Sequence, residues 1–290
     1  MDRPQPCGMT MEIEMTSDFS VLMSVYDKEN PEWFRAALDS VVSQSCQPGE
    51  VLIMQDGPLT AELEAVLTEY QERYPFVRTI ALKEHVYLGR ALAAGVEACR
   101  YELIARMDTD DLAVPERFAL QLEFMDKHPE IAAVGGYMEE FFDGSDFRQI
   151  KTMPLTPDEV CRYARYRNPL NHMTVMFRRS AVLEAGNYRH FPFLEDYDLW
   201  VRMLGKGFKL ANLPEVLVEA RTSEALYKRR GGWSYFKRYV THRGNQRREG
   251  LLNAKEYMIS LVLSCVMTLQ PTWLRKLAYR KLLRRKADLR

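Results

Sequence analysis

The chain has 290 residues, 47% of them hydrophobic and 28% charged, which is the composition of a folded globular protein and not of a disordered chain. Forty Lys and Arg balance forty Asp and Glu, so net charge is zero and no global field draws the molecule to nucleic acid. The length suits one α/β domain with an added C-terminal piece. The cysteines Cys7, Cys46, Cys99, Cys161 and Cys265 are scattered and form no C-x-x-C pair, which disfavours a disulfide framework or a zinc site and points to a reducing, cytosolic compartment.

In chain order, residues 1–18 carry no apolar core of signal-peptide length and read as a disordered tail, with Met9, Met11 and Met15 as further start positions. Strands are expected over 19–26, 50–56, 77–83, 102–108 and 131–141. Helices are expected over 31–45, 60–74, 88–99 and 115–128. Short apolar strands alternating with helices imply an α/β, Rossmann-like, mostly parallel sheet covered on both faces. Ligands of such sheets bind beyond the carboxyl ends of the strands, where Tyr26, Asp56 and Asp108 stand. After residue 150 the rhythm breaks: a helix over 156–167, a strand over 172–179 and a helix over 195–207 with a Gly stop. A basic stretch covers 228–250, and 253–290 reads as two helices broken at Pro271. The apolar run 257–269 is too short to span a bilayer, which needs roughly 20 apolar residues, and reads as a buried or interfacial helix.

The segment ELIARMDTDDLAVPERF, residues 102–118, sets Asp108, Asp110 and Asp111 within four positions at the end of a strand. Clustered carboxylates repel and raise one another's pKa, so a cation or water must sit among them. Neither G-x-G-x-x-G after the first strand nor G-x-x-x-x-G-K-[ST] is present, which leaves carboxylate-held Mg²⁺ or Mn²⁺ as the way to handle phosphate. The competing readings are Asp111 as a helix cap near Pro115 and a calcium loop, for which the Gly and distal Glu are missing.

Taken in order, SVLMSVYDKE, EVLIMQDG, LGRALAAGVEA, MDTDDLAVPERF, NHMTVMFRRSAVLEAGNY and FLEDYDLW resemble glycosyltransferase family 2, with the GT-A fold, over about residues 19–220. YKRRGGWSYFKRY (227–239) resembles the C-terminal part of members that build bacterial capsule, exopolysaccharide or lipopolysaccharide. The resemblance implies an inverting transfer of a hexosyl or N-acetylhexosaminyl group from a nucleotide diphosphate-sugar to a glycan or polyprenyl-diphosphate-linked acceptor. It implies a nucleotide-binding half over about 19–112, an acceptor half over about 113–225 and a basic helical extension over 226–290.

On the same resemblance, Asp110 binds Mn²⁺ or Mg²⁺, and Asp108 touches the ribose or the metal shell. Asp56 accepts from the base ring N–H, which favours a UDP-sugar; its competing reading is a turn residue in QDGP. Tyr26 stacks on the base or is a strand-end core aromatic, and Arg90 faces the nucleotide or is a solvated helix residue. Asp196 of the E-D pair is the general base, with Glu195 the fallback; first-turn acids favouring the helix dipole are the competing reading. His172 contacts the donor sugar, the acceptor or the metal, or is a hydrogen-bonded structural histidine.

Residues 270–290 set Trp273, Leu274, Leu277, Leu282 and Leu283 among seven Arg and Lys, from Arg275 to Lys286. They read as a basic helix on an anionic membrane surface or packed on the domain, which makes the protein at most peripheral on the cytoplasmic face of the inner membrane. The other function classes are a nucleotidyltransferase, whose Gly-rich signature SVYDKENPE lacks, and a non-catalytic nucleotide-sugar or glycan-binding subunit, against which Asp108, Asp110 and Asp196 argue.

Overall fold

The computed structural model describes residues 18–222, 232–271 and the backbone of 285–286. The expected N-terminal tail and most of the basic 270–290 segment lie outside the described residues. Strands β1 (Phe19–Val25), β2 (Glu50–Gln55), β3 (Val77–Ala81) and β4 (Leu103–Arg106) alternate with α1 (Pro31–Val42), α2 (Ala61–Arg73) and α3 (Leu88–Ala98). These four strands lie parallel in the order β4-β1-β2-β3. Side chains alternate across them. Phe19, Val21, Met23, Val51 and Ile53 pack under α1 and α2 with Phe34, Leu38 and Leu67. Leu22, Leu52 and Met54 pack on the opposite face with Leu92 and Val96 of α3 and with Trp200. Burial on both faces explains why these strands read as continuous apolar runs and why the first half was legible.

Beyond β4 the sheet becomes mixed. β5 (Leu112–Ala113) and α4 (Arg117–Lys127) precede the long β6 (Ile131–Phe141), β7 (Arg148–Lys151) and α5 (Pro157–Ala164). A 3-10 turn (His172–Thr174), β8 (Met176–Arg178), α6 (Arg179–Glu184), α7 (Glu195–Gly205) and β9 (Lys209–Arg221) follow. β8 joins β4 to β6 in antiparallel register, and β9 runs parallel to β6 and pairs with β5. The strand expected over 172–179 thus splits: Thr174 donates its hydroxyl to Asn171 O at 2.8 Å and closes the turn, leaving a three-residue strand. β7 and β9 had no counterpart in the sequence reading.

Two helices end the described chain, α8 (Trp233–Arg248) and α9 (Ala254–Leu269). α8 is fixed on α7 by a buried polar network. Arg243 donates to Tyr197 Oη at 2.9 Å, Gln246 Oε1 at 2.7 Å and Tyr166 O at 2.6 Å, while Gln246 donates to Ala164 O at 2.7 Å. Arg285–Lys286, expected inside a helix, instead forms β10 and pairs with β7. An open sheet edge with unpaired N–H and C=O groups favours the extended state over a locally helical pattern.

Glu50 shows how the parallel half is pinned. It is fully buried and accepts from Ser20 Oγ at 2.5 Å, Arg78 Nε at 2.6 Å and the Arg100 N–H at 2.9 Å. Burial pushes its carboxyl up, but these donors outweigh it and hold the group below the usual range. Glu50→Ala is expected to cost about 3 kcal/mol, as for breaking a buried ion pair, read as a lower urea midpoint at unchanged m.

Candidate active site

Parallel strands end at one sheet edge, so β1, β2 and β4 deliver Tyr26, Asp56 and the Asp108 segment together. The close approach around Asp56 needs Gly57, which has φ +91° and whose Cβ would lie 2.8 Å from the His85 nitrogen. Asp56 is buried and accepts from the Val86 N–H at 2.7 Å, and His85 Nδ1 lies 2.9 Å from its other oxygen. The His85 ring stacks on Tyr26 with centroids 5.8 Å apart and also meets Tyr87 at 4.6 Å. His85 and Tyr87 were not singled out in the sequence, since nothing in a lone histidine predicts which strand end it will cover. Arg90 is exposed on the first turn of α3.

Asp108, Asp110 and Asp111 each offer an oxygen within 4.8 Å of the others. The cation expected among them comes partly from the chain itself. Arg106, 2% exposed, forms an ion pair through Nη2 with Asp108, while its Nε and Nη1 are buried without a hydrogen-bond partner among the described residues. Arg117 lies beneath, donating to Arg106 O at 2.6 Å; burial and the Arg106 charge lower its pKa to about 9. Thr109 donates to Glu29 at 2.5 Å. Burial, then the charges of Asp108 and Glu29, push Asp110 up to about 7. Asp111 is also raised by burial and by Asp110, although it accepts from the Arg221 N–H of β9 at 2.8 Å. That bond corrects the capping alternative: α4 starts after Glu116 without a side-chain cap, and Asp111 ties β5 to β9 instead.

The first turn of α7 brings a second acidic cluster into the field of Arg106. Asp196 accepts from Asn168 Nδ2 at 2.5 Å and from the Tyr197 N–H at 2.7 Å; burial still raises its pKa. Glu195 is 8% exposed, and its Oε2 has no partner among the described residues. Burial, then the Asp196 charge, push it up to about 7. The charges of Asp108 and Arg106 both act on Glu195, so the two clusters lie within electrostatic reach of each other. Asp198, third acid of that turn, is a structural residue paired with Arg202 at 2.9 Å. Nothing caps the helix through its N-cap residue Leu194, and burial of Glu195 and Asp196 costs more than a surface helix-dipole gain returns. His172 Nε2 lies 2.9 Å from Tyr188 Oη; burial and the Arg106 charge push its pKa well down, which keeps the ring neutral.

Three all-oxygen carboxylates in a cluster that burial destabilises fit a hard divalent cation. Two clusters of perturbed acids, one at a strand end and one at a helix start, are the kind of arrangement found at active sites of α/β enzymes.

Comparison with known proteins agrees. Residues 20–186 match the model of Glycosyl transferase family 2. The amylovoran biosynthesis glycosyltransferase AmsE of Erwinia amylovora is 40% identical over 222 residues, 77% of this chain and 83% of that protein. The UDP-Gal:alpha-D-GlcNAc-diphosphoundecaprenol beta-1,3-galactosyltransferase of Escherichia coli is 32% identical over 271 residues, 93% of this chain and 98% of that one. Among solved structures, S. aureus TarS 1-349 in complex with UDP-GlcNAc superposes with a TM-score of 0.67 at 14% identity, covering 91% of this chain and 76% of that one. Mannosyltransferase PcManGT from Pyrobaculum calidifontis, in complex with GDP-Man and Mn2+, gives 0.63 at 14% identity, covering 92% and 82%. The chain therefore belongs to glycosyltransferase family 2, with the GT-A fold, and is a glycosyltransferase.

Glu195 supplies a stability prediction with a definite sign. Its folded-state pKa of about 7 lies above the usual 4.5, so the unfolded chain loses that proton first as pH rises. Stability therefore falls between these two values and stays low above them. In EDTA, Glu195→Gln is expected to be more stable than the parent at pH 8, by up to about 3 kcal/mol, and to show no such gain at pH 4. Thermal melts at both pH values check it.

Proposed function

We propose that the protein is an inverting, divalent-metal-dependent glycosyltransferase of bacterial surface polysaccharide synthesis. It moves a sugar from a nucleotide diphosphate-sugar, a UDP-sugar by preference, to a glycan or lipid-linked acceptor. The observation that carries this reading is that the buried guanidinium of Arg106 pairs with Asp108 of the carboxylate cluster while its charge also acts on Glu195 and Asp196.

Asp110 and Asp108 hold Mn²⁺ or Mg²⁺, with Asp111 in reserve because one of its oxygens is committed to Arg221. The bound cation supplies charge neutralisation for the departing diphosphate. Asp56 keeps one lone pair on each oxygen after Val86 and His85 are counted, enough to accept the N–H of a uracil ring. Tyr26 and His85 offer aromatic faces beside it, and Arg90, exposed on the first turn of α3, is assigned to the diphosphate. The names of TarS in complex with UDP-GlcNAc and of the E. coli UDP-Gal enzyme support a UDP-sugar.

Asp196 takes the proton of the acceptor hydroxyl, whose oxygen attacks the anomeric carbon as the bond to the diphosphate oxygen breaks on the opposite face. Burial suits this task, since a raised pKa makes a stronger base. Glu195 is the second reading for the base, favoured by its unpartnered oxygen. His172, neutral and bonded to Tyr188, orients the floor beneath the donor sugar. The basic 270–290 sequence supports contact with an anionic membrane surface. No described helix is long and apolar enough to cross a membrane.

Nucleotide release from UDP-, GDP- and dTDP-sugars, with Mn²⁺ or EDTA, tests the reading. Release should depend on metal and fall about a hundredfold or more in Asp110→Ala. Asp196→Asn should lose a similar factor in transfer while still binding UDP. If Glu195→Gln is the inactive variant and Asp196→Asn is not, the base is Glu195. Full activity of Asp110→Ala would sink the metal assignment.

The raised pKa of Asp110 adds a pH dependence. Below pH 7 the cation must displace a proton. Its affinity should fall about tenfold per pH unit from 7 towards 5, read by calorimetry of Mn²⁺ binding in the presence of UDP.

A further inference from the structure

A cavity of about 300 Å³ lies between the start of α7 and the two C-terminal helices. Asp196, its hydrogen-bond partner Asn168, and the cations Lys151 and Arg167 are among the residues that line it. Lys151 is near enough for its charge to act on the Asp196 carboxyl. Tyr163, Tyr235 and Tyr239 form the walls. Tyrosine faces pack on the apolar C–H faces of a sugar, while ammonium and guanidinium groups bind phosphate oxygens.

The same cavity also has exposed apolar lining. Phe193 and Leu263 line it although they are 52% and 46% exposed. Phe193 is held there by a backbone φ of +71°, a conformation that L side chains adopt only when the surroundings enforce it. Leu263 leads onto Met258, Ile259, Val262 and Val266, all exposed along one side of α9. The helix is inside out. Ser260, Ser264 and Thr268 are its buried residues, each with its hydroxyl bonded to a carbonyl of the same helix. Small polar residues inside let α9 sit close to α8 and leave the apolar row outward, where water alone would not retain it.

We propose that this cavity is the acceptor site, and that its acceptor is amphiphilic: a sugar joined through a diphosphate to a lipid chain. The sugar hydroxyl meets Asp196, the diphosphate lies between Lys151 and Arg167, and the chain leaves past Leu263 along the outer row of α9. The inference rests on the glycosyltransferase reading above and gives it a site. The two-part chemistry selects the ligand. A free oligosaccharide has no use for the apolar row, and a membrane surface alone has none for a carboxylate-lined cavity.

Calorimetry on the full-length protein with saturating UDP and Mn²⁺ tests it. The probes are N-acetylglucosaminyl diphosphate esterified with an undecyl chain and the same head esterified with methyl. The undecyl probe should bind more than about tenfold tighter. Lys151→Ala and Arg167→Ala should each weaken both probes by about tenfold. The double change Leu263→Ser, Val266→Ser should remove the undecyl advantage and leave the methyl probe unaltered. UDP affinity is measured for each variant as the control for folding. Equal affinity of the two probes, binding of neither, or variants that bind as the parent does would overturn the acceptor site while the nucleotide reading stands. Failure of the parent to bind UDP at all would overturn that reading instead.

Discussion

The buried guanidinium of Arg106 is the interaction on which the rest of the site depends. A charge in the interior is costly unless it is paired, and here only Nη2 has its carboxylate, Asp108. Its charge lowers the pKa values of Asp110, Asp111, Glu195 and Asp196, each of which burial raises. The same charge helps keep His172 neutral. Two acidic clusters, one at a strand end and one at a helix start far along the chain, are thereby made tolerable in one place. Without Arg106 these acids would lose the cation whose charge acts on all four of them.

The fold supplies the place. Parallel strands must all finish at one edge, so residues that follow β1, β2 and β4 meet without any further device. The mixed half then closes around this edge. β9 reaches back to bind Asp111 through Arg221, and the Arg243 network seats α8 on α7. Both are polar ties made in the interior, where they are strong when fully satisfied. The outcome is a site whose acids are destabilised and whose frame is not, the arrangement expected where stability has been given up for function.

Much of this was written in the sequence. The alternation of short apolar runs with amphipathic helices determined the parallel half, because burial on both faces leaves a pattern that local chemistry cannot disguise. Asp108 and Asp110 were visible as carboxylates crowded at the end of an apolar segment, whereas Glu195 and Asp196 stood out only through the family resemblance, since first-turn acids alone fit the helix dipole as well. Sequence alone could not show which of them share a site, nor that Asp111 belongs to β9 and Asp198 to Arg202, since such partners lie far apart in the chain.

Tertiary structure decided the remainder. Arg106 reads as one more polar residue in a strand, yet packing removes it from water and makes it the counter-charge of the site. His85 becomes part of the Tyr26–Asp56 corner only because Gly57 lets the backbone approach. The run 257–269 was legible as an apolar helix, but its orientation, with serines inward and aliphatic residues outward, was fixed by the contact with α8. Local sequence determines which elements form, through periodicity and backbone preference. Which charges lose their water, and which apolar faces keep it, is a property of the packed whole.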